Sequence, residues 1–187
     1  MQNAGRRVAL TVLLALAGAG TAATAPRAAG EHRQRLIRSW PESVTVAGRS
    51  VPGRVEIWFD YTAGVAIHKV IANAKSGGTD TVLKTETLAK GVGTPRPSDE
   101  EIAEAMDLVR ADKEFAALIA ATRAAVDGGF QVYEAPGMPC GPGSRCLKVQ
   151  LMTQDRLGLV RNVVVDLTKQ EIVYRAYVPA GEGGKSK

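Results

Sequence analysis

The sequence predicts an α+β fold in which a broken helix packs on antiparallel β-sheet built from two three-stranded meanders. Three observations support this prediction. Apolar residues recur at helical spacing in the middle of the chain, over residues 98–126. Apolar and polar residues alternate on both sides of that segment, within residues 43–90 and 129–179. Short turn-forming stretches divide the alternating segments, which indicates hairpins rather than long crossovers.

The first 25 residues have the layout of a secretory signal peptide, so they are excluded from the fold prediction. Arg6 and Arg7 precede a 12-residue apolar run that ends at Ala19, and small residues follow it. Such a run is too short to span a bilayer as a helix. We therefore predict an exported protein, periplasmic or extracellular. Residues 26–187 are expected to form a single α+β domain that ends in a disordered tail, residues 180–187.

The charge of the mature chain argues against two kinds of binding. Removing the predicted signal peptide leaves 22 Lys and Arg against 19 Asp and Glu, a net charge of +3. These basic residues are scattered along the chain, whereas nucleic-acid-binding domains collect them on one face. No second apolar stretch long enough for a membrane span follows the first one. The sequence therefore predicts neither nucleic-acid binding nor a membrane span in the mature chain.

The first meander begins with "RVEIWFDY" at residues 54–61, where Val, Ile and Phe alternate with Glu, Trp and Asp. This alternation is typical of a half-buried strand. Two further strands, at residues 65–74 and 81–88, follow after short polar turns. Residues 26–42 are polar and irregular, so we expect one or two helical turns that stop before Pro41.

The central segment opens with a capping box. Ser98 supplies a hydroxyl at the N-cap position, and Glu101 supplies a carboxylate three residues on. The helical spacing falters at Asp112 and then resumes, so we predict two helices, of which the second ends near residue 127. The acidic residues of the first turn are interpreted as a solvated cluster that complements the helix dipole, with paired-carboxylate catalysis as the alternative. They are Asp99, Glu100, Glu101 and Glu104.

The last third of the chain returns to strands. Four segments alternate in polarity: "FQVYEA", "CLKVQLMTQ", "LVRNVVVDL" and "EIVYRAYV". Asp166 is expected to start the final turn by accepting backbone hydrogen bonds. The strands and turns of the two meanders have nearly the same spacing. Either an internal duplication or the general layout of meanders explains this.

Two cysteines lie six positions apart in "PCGPGSRC", and we predict a disulfide that closes a loop. Exported proteins form disulfides in oxidising compartments, and Cys140 and Cys146 are the two cysteines of the sequence. A soft-metal site and a pair of reactive thiols are the alternatives. Met138 and His68 are the weak further candidates for metal ligands.

Trp58 and Tyr61 form a predicted partner surface. Trp58 alternates with the apolar residues of its strand, so it is expected on the opposite face, with Tyr61 nearby across a turn. An aromatic side chain on an open face can anchor a partner protein. Alternatively, the N-terminal segment that contains Trp40 covers this face.

The stretch "VVVDLT" with "EIVYRAYV" after it, and "RPSDEEIAEAMDLVRADKEF" upstream, resembles the N-terminal accessory domains of the copper amine oxidases. The resemblance covers residues 54–178 and does not include the cysteine loop. It implies a small α+β unit with an accessory role. That family builds its redox cofactor from a tyrosine in an Asn-Tyr pair and binds copper through three histidines. This sequence has no Asn-Tyr pair and only His32 and His68, so no catalytic residue is carried over and no cofactor is predicted.

The predicted function is that of a non-catalytic binding or accessory protein that engages another exported protein. Its alternatives are a PepSY-like inhibitor of an exported peptidase and a small periplasmic metal-handling protein. His68 could act as a base only beside a positioned nucleophile or water, so a strand-face histidine with a local hydrogen bond is the favoured interpretation.

Overall fold

Two four-stranded antiparallel sheets and two helices make up the residues that the structure, a computed structural model, describes: 33–74 and 77–178. The elements in chain order are β1 (Gln34–Val46), β2 (Arg49–Asp60), β3 (Val65–Ala72), β4 (Thr81–Thr87), α1 (Asp99–Ala111), α2 (Lys113–Thr122), β5 (Ala125–Val132), β6 (Cys146–Met152), β7 (Leu159–Asp166) and β8 (Glu171–Tyr174). Each sheet keeps its strands in chain order, β1-β2-β3-β4 and β5-β6-β7-β8. The predicted α+β class is confirmed, with four strands in each sheet in place of three. The predicted signal peptide and C-terminal tail lie outside the described residues.

The first sheet contains a strand where helical turns were expected, so that expectation is wrong. β1 pairs antiparallel with β2 from Gln34 opposite Asp60 to Val46 opposite Arg49. Pro41 is tolerated because β1 lies at the sheet edge, where a residue without an N–H can face solvent. Most of β1 is exposed, which explains its polar and irregular sequence.

The two predicted helices and the break between them are confirmed. The hydroxyl of Ser98 accepts a hydrogen bond from the Glu101 N–H (3.3 Å), and the Glu101 carboxylate accepts one from the Ser98 N–H (2.9 Å). Asp112 ends α1 with an extended backbone and caps α2 by accepting from the backbone N–H of Glu114 at 3.0 Å. Both helix starts are therefore fixed by local hydrogen bonds, as the capping residues predict.

The second helix ends at Thr122, earlier than predicted. Arg123 takes a left-handed conformation with φ 53°, which terminates α2, and the chain then enters β5 at Ala125. The final strand is also shorter than expected, since β8 ends at Tyr174. Neither described helix is long and apolar enough to cross a membrane.

The main core lies between the helices and one face of the second sheet. The first sheet contributes only one end to it, through buried Phe59 and Tyr61 and partly buried Ile37. Beyond that end, the first sheet has further buried residues, among them Val44, Ile71 and Ala72. The remaining buried members of this core include Ala105, Val109, Phe115, Leu147, Val149, Leu151, Val163 and Val165.

The other face of the second sheet carries a smaller buried cluster that includes the predicted disulfide. Cys140 and Cys146 are bonded, which confirms the pairing, and both are buried together with Val132 and Val164. The disulfide thus holds the loop before β6 against the sheet.

Replacing both cysteines, by Cys140→Ser with Cys146→Ser, is expected to lower the free energy of unfolding by about 2 kcal/mol. The short closed loop limits the entropic gain of the cross-link, and urea denaturation of the two proteins measures the difference. An unchanged free energy of unfolding would mean that other contacts hold this loop.

Candidate functional site

A buried ion pair lies where the first sheet, α1 and the second sheet meet. Arg145, directly before β6, and Glu101 of α1 are both fully buried. The Arg145 guanidinium donates to both carboxylate oxygens, from Nε to Oε1 and from Nη2 to Oε2, each at 2.7 Å. Its Nη1 donates to the carbonyl oxygen of Pro95 at 2.7 Å. The hydroxyl of Tyr61 donates to Glu101 Oε1 at 2.6 Å. The two hydrogen bonds of this pair, together with these further partners, offset the free-energy cost of burying the two charges.

The backbone around Arg145 is fixed as well. Its N–H donates to Oδ1 of buried Asp166 at 3.2 Å, and the same oxygen accepts from the Thr168 N–H at 2.9 Å. Asp166 therefore forms the predicted turn and also holds the residue that pairs with Glu101.

Glu101 is kept ionised by its neighbours. Burial raises the pKa of this carboxyl, but the hydrogen bonds and charge of Arg145, with the Tyr61 hydroxyl, bring the pKa below its usual value. Burial and the nearby Glu101 carboxylate raise the pKa of Tyr61, so its hydroxyl stays protonated and can donate.

The interpretation of Glu101 as part of a solvated first turn is wrong. Glu101, Ala105 and Val109 recur every four residues along α1 and are all fully buried. Residues four apart share one helix face, so the small and apolar residues at 105 and 109 were the sequence signal that Glu101 faces inward. Because both charges are enclosed, the pair positions structural elements and has no open side for a substrate.

Acid should weaken this pair. Since folding lowers the pKa of Glu101 from 4.5, its stabilising contribution is complete above the unfolded-state pKa and is lost as the pH falls towards the folded-state pKa. We expect the free energy of unfolding to fall as the pH drops below about 5, and Glu101→Gln to show a smaller fall over the same pH range. Urea denaturation at several pH values measures both. Equal pH dependence in the two proteins would contradict this assignment.

A second charged cluster attaches β1 to α1. Glu104 accepts from Arg33 at 3.2 Å and from Arg35 at 2.5 Å. The Arg33 guanidinium also lies 4.0 Å from the ring centroid of Tyr61 and donates to the carbonyl oxygen of Leu167. Together with the hydrogen bond of the Tyr61 hydroxyl, these contacts hold one end of the first sheet against α1.

The structure separates Trp58 from Tyr61. Tyr61 is only 4% exposed and faces the core, so its place in the predicted partner surface is wrong. Trp58 is half-buried, donates from Nε1 to Glu56 at 2.7 Å and has the Lys69 amine 4.4 Å from its ring centroid. Trp40 does not cover Trp58, because β1 lies beside β2 in the same sheet and places Trp40 opposite Val55.

The candidate metal ligands do not converge in the described part of the chain. Both cysteine sulfurs are used by the disulfide, and Met138 is 51% exposed. His68 lies on β3 between Ile57 and Glu86 on the neighbouring strands. Its Nε2 is buried without a hydrogen-bond partner among the described residues. Within residues 33–74 and 77–178, no group of three or more His, Cys, Asp or Glu is arranged to hold a metal ion.

A row of apolar side chains crosses the open part of the first sheet. Trp40 lies opposite Val55, and Val55 lies opposite Val70. Because directly paired residues share a face, these three side chains form one surface, which we call the open row. Trp40 is 36% exposed, and the two valines are half-buried. Lys84 of β4 continues the row at its far end.

The open row lies on a face that is buried elsewhere. Val55 and Phe59 are four residues apart on β2 and point to the same side. Phe59 is 2% exposed at the end of the first sheet that contributes to the main core, whereas Val55 is only half-buried. Val44 and Ala72, on the same face towards the other end of the sheet, are 6% and 8% exposed. The open row therefore lies between two buried ends, with Trp40 as its exposed member.

No protein-family description matches this sequence, and a comparison with curated proteins also finds no match. The resemblance to amine oxidase accessory domains thus stays a prediction.

Proposed function

We propose that this protein is an exported, non-catalytic module that binds another protein through the open row of Trp40, Val55 and Val70. The observation that carries the proposal is a sheet fastened at one end, whose core-facing side continues into an accessible apolar surface.

The composition of this surface fits a protein partner. Tryptophan is among the residues that contribute most to binding when a partner covers them, and flanking polar groups exclude water from the contact. The neighbouring row across the sheet supplies such groups, since Arg38 and His68 lie on either side of Ile57. Lys84 lies at the end of the open row. Glu86 also lies on this face, opposite His68, and forms an ion pair with Lys84. The complementary partner surface is therefore apolar at its centre and polar at its rim.

Three further features support an exported, non-catalytic role. Disulfides persist in oxidising compartments, and this chain has one between buried cysteines. The apolar run before residue 25 has the layout of an export signal. Glu101 and Arg145 are both fully buried and form an ion pair with each other. The resemblance to domains that flank an enzyme agrees with this role.

Affinity capture from the exported proteins of the source cell tests the proposal. The baits are the unchanged protein, Trp40→Ser, and Leu157→Ser as the matched control. Leu157 is 87% exposed on the hairpin between β6 and β7, so its replacement removes apolar surface from the other sheet. We expect one protein to be retained by the unchanged bait and by the control, and about tenfold less of it by Trp40→Ser.

Equal retention by Trp40→Ser would overturn the assignment of the open row. The identity of the retained protein separates the remaining hypotheses: an exported peptidase would favour the PepSY-like inhibitor, and an amine oxidase would favour the accessory role. Oxidation of primary amines by the purified protein alone would contradict a non-catalytic function.

A further inference from the structure

We infer that two copies of this chain associate through β4, with the two β4 strands antiparallel and the two first sheets joined into one. This inference concerns self-association and does not depend on the open row having a partner. The starting observation is that β4 is exposed along its whole length, Thr81–Thr87, on both faces. Among the described strands, it is paired on one side only, to β3. Val82 and Leu83 are 54% and 38% exposed.

The edge strands of the two described sheets are not equally open to pairing. Natural edge strands avoid contact with other chains through proline, bulges, short length or charged side chains. The charges of β4, Lys84 and Glu86, are of opposite sign. β1 contains Pro41 and a register shift near Ile37, β5 contains Gly128 and Gly129 at a register shift, and three of the four residues of β8 are half-buried. β4 also has a register shift, between its pairings at Lys84 and Val82. Residues 84–87 remain a regular edge, and all four are exposed.

The charges of that regular edge select one antiparallel register. A twofold axis perpendicular to the joined sheet leaves each face of β4 on the same side in both copies. Each residue of one β4 strand therefore lies opposite a residue from the same face of the other. Lys84 and Glu86 share a face of β4 and are bridged at 2.7 Å within the strand. Centring the pair of strands on Lys84 or on Glu86 would place like charges opposite each other. Centring on Thr85 places each Lys84 opposite the other copy's Glu86 and the two threonines opposite each other, both of which are favourable cross-strand pairs.

The occupant of this edge is therefore a second copy of the chain, since β4 complements itself. The joined sheet would have eight strands. The twofold axis stands perpendicular to it, so both open rows lie on the same side. A bivalent partner could then contact both copies at once.

Sedimentation equilibrium of the purified protein over a range of concentrations tests the inference. We expect a monomer–dimer equilibrium for the unchanged chain. Lys84→Glu and Glu86→Lys each create two like-charge pairs in the dimer, and each should weaken association about tenfold or more. Arg156→Glu is the control, because it makes the same charge change as Lys84→Glu at a position with 66% side-chain exposure, in the hairpin between β6 and β7.

Mixing the Lys84→Glu and Glu86→Lys proteins provides the decisive comparison. In the register centred on Thr85, their β4 strands carry opposite charges at every facing position, so the mixture should regain the dimer that neither variant forms alone. Both replaced residues are well exposed, and circular dichroism checks that the variants are folded. A wild-type protein that stays monomeric, variants that associate like the wild type, or a mixture that stays monomeric would each overturn the inference.

Discussion

Replacing Arg145 with methionine should lower the free energy of unfolding by about 3 to 5 kcal/mol, because a buried carboxylate is left without its counter-charge. Glu101 is fully buried, and two of its hydrogen bonds come from the Arg145 guanidinium. The Tyr61 hydroxyl and the Ser98 N–H are too few donors to replace both the bonds and the charge. Urea denaturation near neutral pH measures the loss.

The control for this prediction is Arg156→Met. Arg156 is well exposed and lies 3.4 Å from Asp127, and exposed pairs of this kind contribute at most about 1 kcal/mol. Adding Glu101→Leu to Arg145→Met should recover part of the loss, since the double variant has no unpaired buried charge. A loss no larger than that of the control would show that the pair does not hold the elements together.

Replacing Phe115 with alanine should cost about 3 to 5 kcal/mol. Among the described residues of α2, Phe115 alone is buried, at 0% exposed. The Arg175 guanidinium lies 5.4 Å from its ring centroid. The replacement therefore opens a cavity in the main core and removes the one fully buried side chain of α2, beside which Leu118 and Ile119 are only partly buried. Denaturation with urea measures both consequences together.

Leu157→Ala is the matched comparison for Phe115→Ala. It shortens a side chain that is 87% exposed, so we expect a change within about 0.5 kcal/mol. If Phe115→Ala also fell within that range, α2 would be held by contacts other than its one buried ring.

Features with a local signal were predictable from the sequence. The capping box at Ser98 and the break at Asp112 depend on hydrogen bonds within a few residues, and the disulfide links cysteines six positions apart. The α+β class follows from periodicity, which each segment carries by itself.

Features that depend on distant contacts were not predictable in the same way. β1 is a strand because β2 pairs with it, although its own sequence is polar and contains Pro41. Glu101 is buried because Arg145, far along the chain, reaches it across the core. Tyr61 also faces inward because of a distant contact, since its hydroxyl donates a hydrogen bond to Glu101. A single sequence carries no direct signal of such pairings, apart from the four-residue spacing of α1.

The first sheet connects these observations to function. The charged contacts of Glu101 and Glu104 fasten the sheet at one end, which gives the open row a fixed position while leaving it accessible. A rigid surface loses little conformational freedom when a partner binds, so this arrangement favours binding.

Photo-crosslinking in the exporting cell tests the central claim most directly, because it records which surface touches a partner. The crosslinking residue p-benzoylphenylalanine replaces Trp40 in one protein and Leu157 in another. We predict a covalent adduct with a second, different protein from position 40 and none from position 157. An adduct that forms only from position 157, or from neither position, would contradict the claim that this protein acts by binding through its first sheet.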